Sequence, residues 1–145
     1  MNNFHPAPIR PLDPAECWEQ LATFPVGRLI VVFDGQPDVF PVNFVIDGEG
    51  LVVRTDVGMK FFAAEQRSPA AFEVDRWDAS TGVTVIAHGT LRVLDDPAEH
   101  AHAESLDLRP WLDTDKAHFI RLDVTELTGR HFTLNEDARI AQQED

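Results

Sequence analysis

Two Asp-Gly pairs constrain this chain more than any other feature: Asp34-Gly35 and Asp47-Gly48 each sit between two apolar runs. Aspartate tolerates positive φ and glycine favours it, so each pair predicts a tight turn that joins its neighbours into a hairpin. The stretch from Gly27 to Lys60, GRLIVVFDGQPDVFPVNFVIDGEGLVVRTDVGMK, then reads as three strands followed by a helix entry. Leu29 to Phe33 is apolar on both faces, the pattern of a central strand covered on both sides. In the second run Phe40, Val42, Phe44 and Ile46 share one face, while Val39, Pro41, Asn43 and Val45 share the other, so one amide interrupts an apolar surface. The third run, Leu51 to Thr55, leads into Asp56-Val57-Gly58-Met59-Lys60, where helical periodicity begins.

Arg54, Thr55 and Lys60 bracket that helix entry. Free N–H groups and the helix dipole favour an anion at a helix start, and two cations beside it can close on a phosphate. The plainer reading makes Asp56 a helix cap and leaves both cations on the surface. Asn43 also has two readings: its amide holds a neighbouring loop, or it meets a polar ring edge.

The chain has 145 residues, which suits one domain with a proper core, residues 1–145. Acidic residues outnumber basic ones 25 to 12, for a formal charge of −13. Nucleic-acid binding needs a basic face, so the balance argues against it, and equally against an anionic membrane surface. Cys17 is the only cysteine, which excludes an internal disulfide and a cysteine metal cage. The opening MNNFHPAPIRPLDP lacks a secretion pattern and no 18-residue apolar run occurs, so the expected location is cytoplasmic.

Residues 1–12 read as an extended arm. Asp13, Pro14 and Glu16 open a helix to position 24, with Cys17, Trp18, Leu21 and Ala22 as its packing stripe. Cys17 on that stripe is expected to be a core thiol. A short helix over 57–66 follows the three strands, then a strand from Ala71 to Asp75 and the longest strand, Val83 to Asp95. Gly89 within it signals a bulge or a close approach by backbone or ligand. Asp96-Pro97 opens a helix to about Leu106. His118 to Val124 is a strand, and Thr128-Gly129-Arg130 reads as a turn into a last short one. Residues 135–145 form a polar tail. The order αβββαββαββ, with hairpin connections and no parallel crossovers, predicts an antiparallel barrel with helices over its openings.

Other constellations carry less. His100 and Glu104 share a helix face but His102 does not, so no metal site is expected. No serine sits in a nucleophile elbow, and no residue is assigned as catalytic. Trp77 and Trp111 lie beside predicted loops, as core lids, interface anchors or walls for a planar ligand.

Taken together, GRLIVVFDGQPDVFPVNFVIDGEGLVVRTDVGMKFFAAEQRSPAAFEVD, TGVTVIAHGTLRVLDD, RPW and AHFIRLDVTELTGRHF resemble the pyridoxamine 5′-phosphate oxidase-like family of flavin-binding split barrels. The likeness spans roughly residues 14–134 and is nearest to small actinobacterial-type members, related to nitroimidazole-resistance proteins. It implies a six-stranded split barrel, a homodimer, and FMN in two clefts along the interface. By position, Arg54, Thr55 and Lys60 match residues that hold the flavin phosphate. Val42, Asn43 and Phe44 match the strand bordering the isoalloxazine ring. Val83, Thr84 and Val85 match the part of the long strand that reaches the cofactor, often from the second subunit, and Trp111 matches a late tryptophan near the same cleft. Val83 stands where close relatives carry an aromatic residue, and His88 where they often carry arginine. The closing AQQED differs from the basic substrate segment of true pyridoxamine phosphate oxidases, so vitamin B6 oxidation is not expected.

Two functional classes follow. One is a flavin-dependent oxidoreductase acting on a small molecule, in which FMN carries the hydride chemistry. The other is a non-catalytic split-barrel dimer that binds flavin, a deazaflavin cofactor or haem.

Overall fold

A computed structural model describes residues 8–108 and 118–135. In chain order the elements are β1 (Ile9–Pro11), α1 (Pro14–Leu21), β2 (Val26–Phe33), β3 (Gln36–Asn43), β4 (Val45–Asp47), β5 (Gly50–Thr55), α2 (Met59–Glu65), β6 (Pro69–Trp77), β7 (Thr81–Val93), α3 (Pro97–Ser105) and β8 (His118–Thr133). The strands form one antiparallel sheet in the order β3-β2-β6-β7-β8-β5-β4, with β1 added to β8. The two edge strands, β3 and β4, are consecutive in sequence and separated by Phe44 alone. A sheet whose edges are joined by one residue must curl until they meet. The result is an antiparallel split barrel with three helices, as the sequence predicts.

The second apolar run departs from its expected form. It is two strands, because its first part pairs with β2 and its second with β5, on opposite sides of the curled sheet. Phe44 sits at the break and turns inward, its ring 4.7 Å from that of Phe72 at an edge-on angle. The two prolines of β3, Pro37 and Pro41, suit an edge strand, where a missing N–H costs no ladder bond. The flanking turns form at both Asp-Gly pairs, with φ of 55° at Asp34, 76° at Gly35 and 59° at Gly48.

β2 lies between β3 and β6 but is covered on one face only. Leu29 and Val31 are buried in the barrel, whereas on the other face Ile30 is half-buried and Val32 54% exposed. The expectation of cover on both sides is therefore corrected for these residues. The arm also differs: Ile9, Arg10 and Pro11 pair with Phe132, His131 and Arg130.

The barrel core gathers Leu29, Val31, Phe72, Val74, Val85, Leu91 and Ile120, closed from one side by Cys17 and Leu21 of α1. That helix starts with the capping box read in the sequence: Asp13 Oδ1 accepts from the Glu16 N–H at 2.8 Å, and Glu16 Oε1 accepts from the Asp13 N–H at 3.3 Å. A second, smaller core of Val52, Leu94, Ala103, Leu108 and Phe119 lies under α3.

β8 is one strand, where two with a turn were expected. Gly129 lies inside it and pairs with Val85. Its glycine serves a close approach, since a Cβ there would stand 2.7 Å from Cys17 Sγ. The long pair β7–β8 carries its irregularity at Gly89, as predicted. His88 pairs with Glu126 and Gly89 with Val124, so Thr125 is the extra residue of a bulge. Only glycine fits, because a Cβ would lie 2.0 Å from the Asp123 carbonyl oxygen.

Candidate functional site

β5 ends at Thr55 and α2 begins after Gly58, so the chain passes from sheet to helix in three residues. Thr55 is buried, and its hydroxyl donates to the Asp56 carbonyl at 3.0 Å. Asp56 does not cap the helix; the N-cap is Gly58, with no side-chain cap bond. Lys60, in the first turn, holds its Nζ 4.5 Å above the Phe40 ring of β3. Arg54 precedes Thr55 and points to the other face of β5, as strand neighbours must. There its guanidinium lies 5.4 Å from the centroid of Phe119. The two cations thus rest on different rings, Lys60 on the barrel side and Arg54 on the α3 side.

Val42 and Phe44 are buried in the barrel core, and Asn43 between them is half-buried. The Asn43 amide donates to the Pro25 carbonyl at 3.3 Å, which holds the loop before β2. β3 is an edge, and among the described residues no strand pairs with its outer side. What this segment can offer a ligand is main-chain hydrogen bonding beside the Asn43 amide.

Val83, Thr84 and Val85 lie elsewhere. Val83 and Val85 are buried, and Thr84 is half-buried on the outward face, where it pairs with Asp75 and Arg130. Along β8 the partner of Thr55 is His118 and the partner of Val85 is Gly129. At about 3.3 Å per residue those eleven positions amount to roughly 36 Å of strand. Within one chain, Thr84 and Lys60 do not line a common site. Trp111 lies outside the described residues.

The structure also assembles two features that local sequence patterns did not reveal. The first is an ionic network that pins α3. His102 Nε2 lies 3.1 Å from both Asp47 oxygens. Arg121 donates to Asp47 at 3.0 Å and to Asp123 at 2.7 Å; Arg92 donates to Asp123 at 2.7 Å and to Glu99 at 2.8 Å. The hydrogen bond from His102, aided by Arg121, holds Asp47 below the usual carboxylate range. Burial pushes Asp123 up, but hydrogen bonds from Arg121 and Arg92 outweigh it and leave that carboxyl low as well. The second is a cleft between α2, the end of β7 and α3, which Phe61 and His118 help to line. His100 pairs with Glu104 at 3.2 Å rather than with His102.

On the outward face of the sheet, Arg28 Nη1 donates to Glu73 at 2.7 Å and to Asp75 at 2.6 Å. Burial, with Asp75 alongside, raises Glu73, while the hydrogen bond from Glu73 and the charge of Arg28 lower Asp75. Trp77 Nε1 donates to Asp75 at 3.1 Å, and its ring, half-exposed, lies against Phe132. Among the described residues, no helix is long and apolar enough to cross a membrane.

Comparison with known proteins fits this geometry. A conserved protein of unknown function from Corynebacterium diphtheriae is 39% identical and superposes with a TM-score of 0.76, covering 87% of this chain and 99% of that one. An FAD-binding protein from Mycobacterium smegmatis is 31% identical, with a TM-score of 0.71 and coverage of 86% and 98%. An uncharacterised protein of Mycobacterium tuberculosis is 36% identical over 88 residues, 61% of this chain and 80% of its own length. The sequence profile of the pyridoxamine 5′-phosphate oxidase family matches residues 13–131. With the curled antiparallel sheet and its three helices, that match establishes that the chain belongs to the pyridoxamine 5′-phosphate oxidase family.

Proposed function

We propose that this protein is a flavin-dependent oxidoreductase acting on a small molecule, with its flavin held between two copies of the chain. The observation that carries the reading is the chemistry of the β5–α2 junction. The Lys60 ammonium stands over the Phe40 ring beside the buried Thr55, in a family whose 31% identical relative binds FAD. α2 spans only Met59–Glu65, so its dipole adds little and the side chains must supply the charge.

These residues fit the phosphate end of a flavin. Lys60 offers a charge-assisted donor. The Thr55 hydroxyl can turn from the Asp56 carbonyl toward a phosphate oxygen, while Arg54, on the opposite face of β5, would have to leave the Phe119 ring to take part. The outer edge of β3 offers backbone donors and acceptors for a polar ring edge, with the Asn43 amide beside them. A second subunit would bring Thr84 to the ring, which one chain does not do. FMN and FAD share the phosphate that this seat takes. A bound flavin supplies hydride and one-electron transfer, and the protein's part is to bind, orient and keep water out.

The visible spectrum of the purified protein tests this reading. Flavin absorbance that bleaches on reduction and returns when a small-molecule acceptor is added supports it. A deazaflavin or haem spectrum, or flavin absorbance that no acceptor restores after reduction, would replace it with the binding-module reading.

A further inference from the structure

The cleft between α2 and α3 has a volume of about 490 Å³, within the range of about 300–1,000 Å³ typical of ligand sites. Part of its wall is aromatic. The rings of Phe61 and His118, both half-buried, pack together at 4.7 Å with their planes at 49°. The rest of the lining is charged, and its charges divide into those already matched and those left open. Arg92 is committed to Glu99 and Asp123. Asp96 closes the start of α3 by accepting from the Ala98 and Glu99 N–H groups, so that helix end offers no seat of its own. Glu65, Arg67 and Asp95 remain. All three line the cleft and are exposed, and among the described residues none of them forms an ion pair.

Arg67 is held in an unusual conformation. Its φ is 53°, its N–H donates to the Ala64 carbonyl at 3.0 Å, and the Ser68 N–H donates to Ala63 at 3.0 Å. This is the Schellman ending of a helix, and Arg67 fills the position that glycine takes without strain. A strained arginine on the wall of a cleft points to a use for its side chain. That use is not the neutralisation of Glu65 or Asp95, since it pairs with neither.

The open charges limit what can bind. A phosphate-bearing ligand would meet Glu65, Asp95 and Glu99 with one open arginine to offset them, and repulsion excludes it. A simple amine would desolvate Arg67 without a partner, and a simple acid would do the same to two carboxylates. A zwitterion with an apolar body satisfies every group: an ammonium for Glu65 and Asp95, a carboxylate for the planar fork of Arg67, and a ring for Phe61 and His118. We propose that this cleft binds a free amino acid with an aromatic side chain. The inference rests on the cleft alone and does not depend on the flavin reading.

Calorimetric titration of the full chain with L-phenylalanine, phenethylamine and hydrocinnamate tests it, because the three share a ring and differ in their charged groups. L-Phenylalanine should bind, phenethylamine about tenfold more weakly for want of one charge-assisted contact, and hydrocinnamate least of all. Glycine suits the backbone at position 67, so Arg67→Gly retains the fold. It should lower the affinity for L-phenylalanine about tenfold and leave phenethylamine unchanged. The double variant Glu65→Gln with Asp95→Asn should weaken both amines and bring L-phenylalanine down to the level of hydrocinnamate. Hydrocinnamate binding as tightly as L-phenylalanine would overturn the proposal. So would equal affinity for L-phenylalanine and phenethylamine with no effect of Arg67→Gly, and so would no binding of any of the three.

Discussion

Lys60 and Arg54 are nearly equivalent in sequence but not in space. Lys60 stands over Phe40 at the helix entry, and Arg54 lies against Phe119 on the far side of β5. A charge-assisted hydrogen bond contributes about 1.5–3 kcal/mol, and losing one weakens a ligand roughly ten- to a hundredfold. Lys60→Ala should therefore weaken FMN by that factor and leave riboflavin, which lacks the phosphate, almost unchanged. Arg54→Ala should show a smaller loss, because its guanidinium must leave Phe119 to take part. Titration of both variants with both flavins checks this; equal weakening of FMN and riboflavin would place Lys60 elsewhere on the cofactor. At Arg67 the same reasoning concerns stability. An αL backbone costs a non-glycine residue about 1–2 kcal/mol, while glycine's extra chain entropy returns roughly 0.5–1 kcal/mol of that. Arg67→Gly should raise the melting temperature by up to about 5 °C, and a value below the parent's would show that the arginine side chain stabilises the fold. Cys17 is fully buried, and burial together with the charges of Asp13 and Glu16 raises its thiol. Alkylation of the native protein should be slow.

At the scale of elements, α3 is fixed by charge as much as by packing. Glu99 and His102, near the start and end of the helix, are tied through Arg92, Asp123, Arg121 and Asp47 to β7, β8 and β4. Asp47 and Asp123 both titrate below the usual value, so their contribution is full above the unfolded carboxylate pKa of about 3.9 and is lost as the pH falls through the lower folded value. Asp47→Asn should cost about 1 kcal/mol at pH 7, and the difference from the parent should close as the pH falls through the lowered folded value and the parent's own carboxylate protonates. Urea melts at pH 7 and across the acid range measure it, and a gap that stays constant would mean the loss is one of packing. None of this network is legible in the sequence, because Asp47 and Arg121 are 74 positions apart and each looks like an ordinary surface charge. What was legible is local. The Asp13–Glu16 capping box and the Asp-Gly turns depend on neighbours in the chain, and Gly89 marked its bulge by residue type alone, since the backbone that approaches it is that of Asp123. The break at Phe44 depends instead on which distant strand each half of the run pairs with. Gly129 shows a third case: a glycine needed for the approach of Cys17 carries the same signature as a turn.

The residues proposed to meet a flavin fall in two places on the molecule. Lys60 and Thr55 lie at one end of the sheet, and Thr84 lies roughly 40 Å of strand away along β8. If all of them meet one flavin, two chains must pair with opposite ends together, and a twofold dimer does this twice. The outward face of the sheet has the apolar surface such a dimer needs. Val39 is 56% and Val32 54% exposed, with Ile30 and Ile86 half-buried beside them. The Arg28–Glu73–Asp75 cluster lies among them. We therefore predict a homodimer with composite sites, and complementation between defective variants tests it directly. Lys60→Ala removes the phosphate contact, and Thr84→Trp should block the ring contact from the outward face without touching the core. Each variant alone should bind flavin poorly. When the two are mixed and allowed to exchange subunits, half the dimers become mixed, and each mixed dimer has one site with both defects and one with neither. About one quarter of all sites should then recover. A monomer by sedimentation at micromolar concentration, or no recovery on mixing once subunit exchange has been demonstrated, would show that each chain builds its site alone. In that case Thr84 would have no part in it.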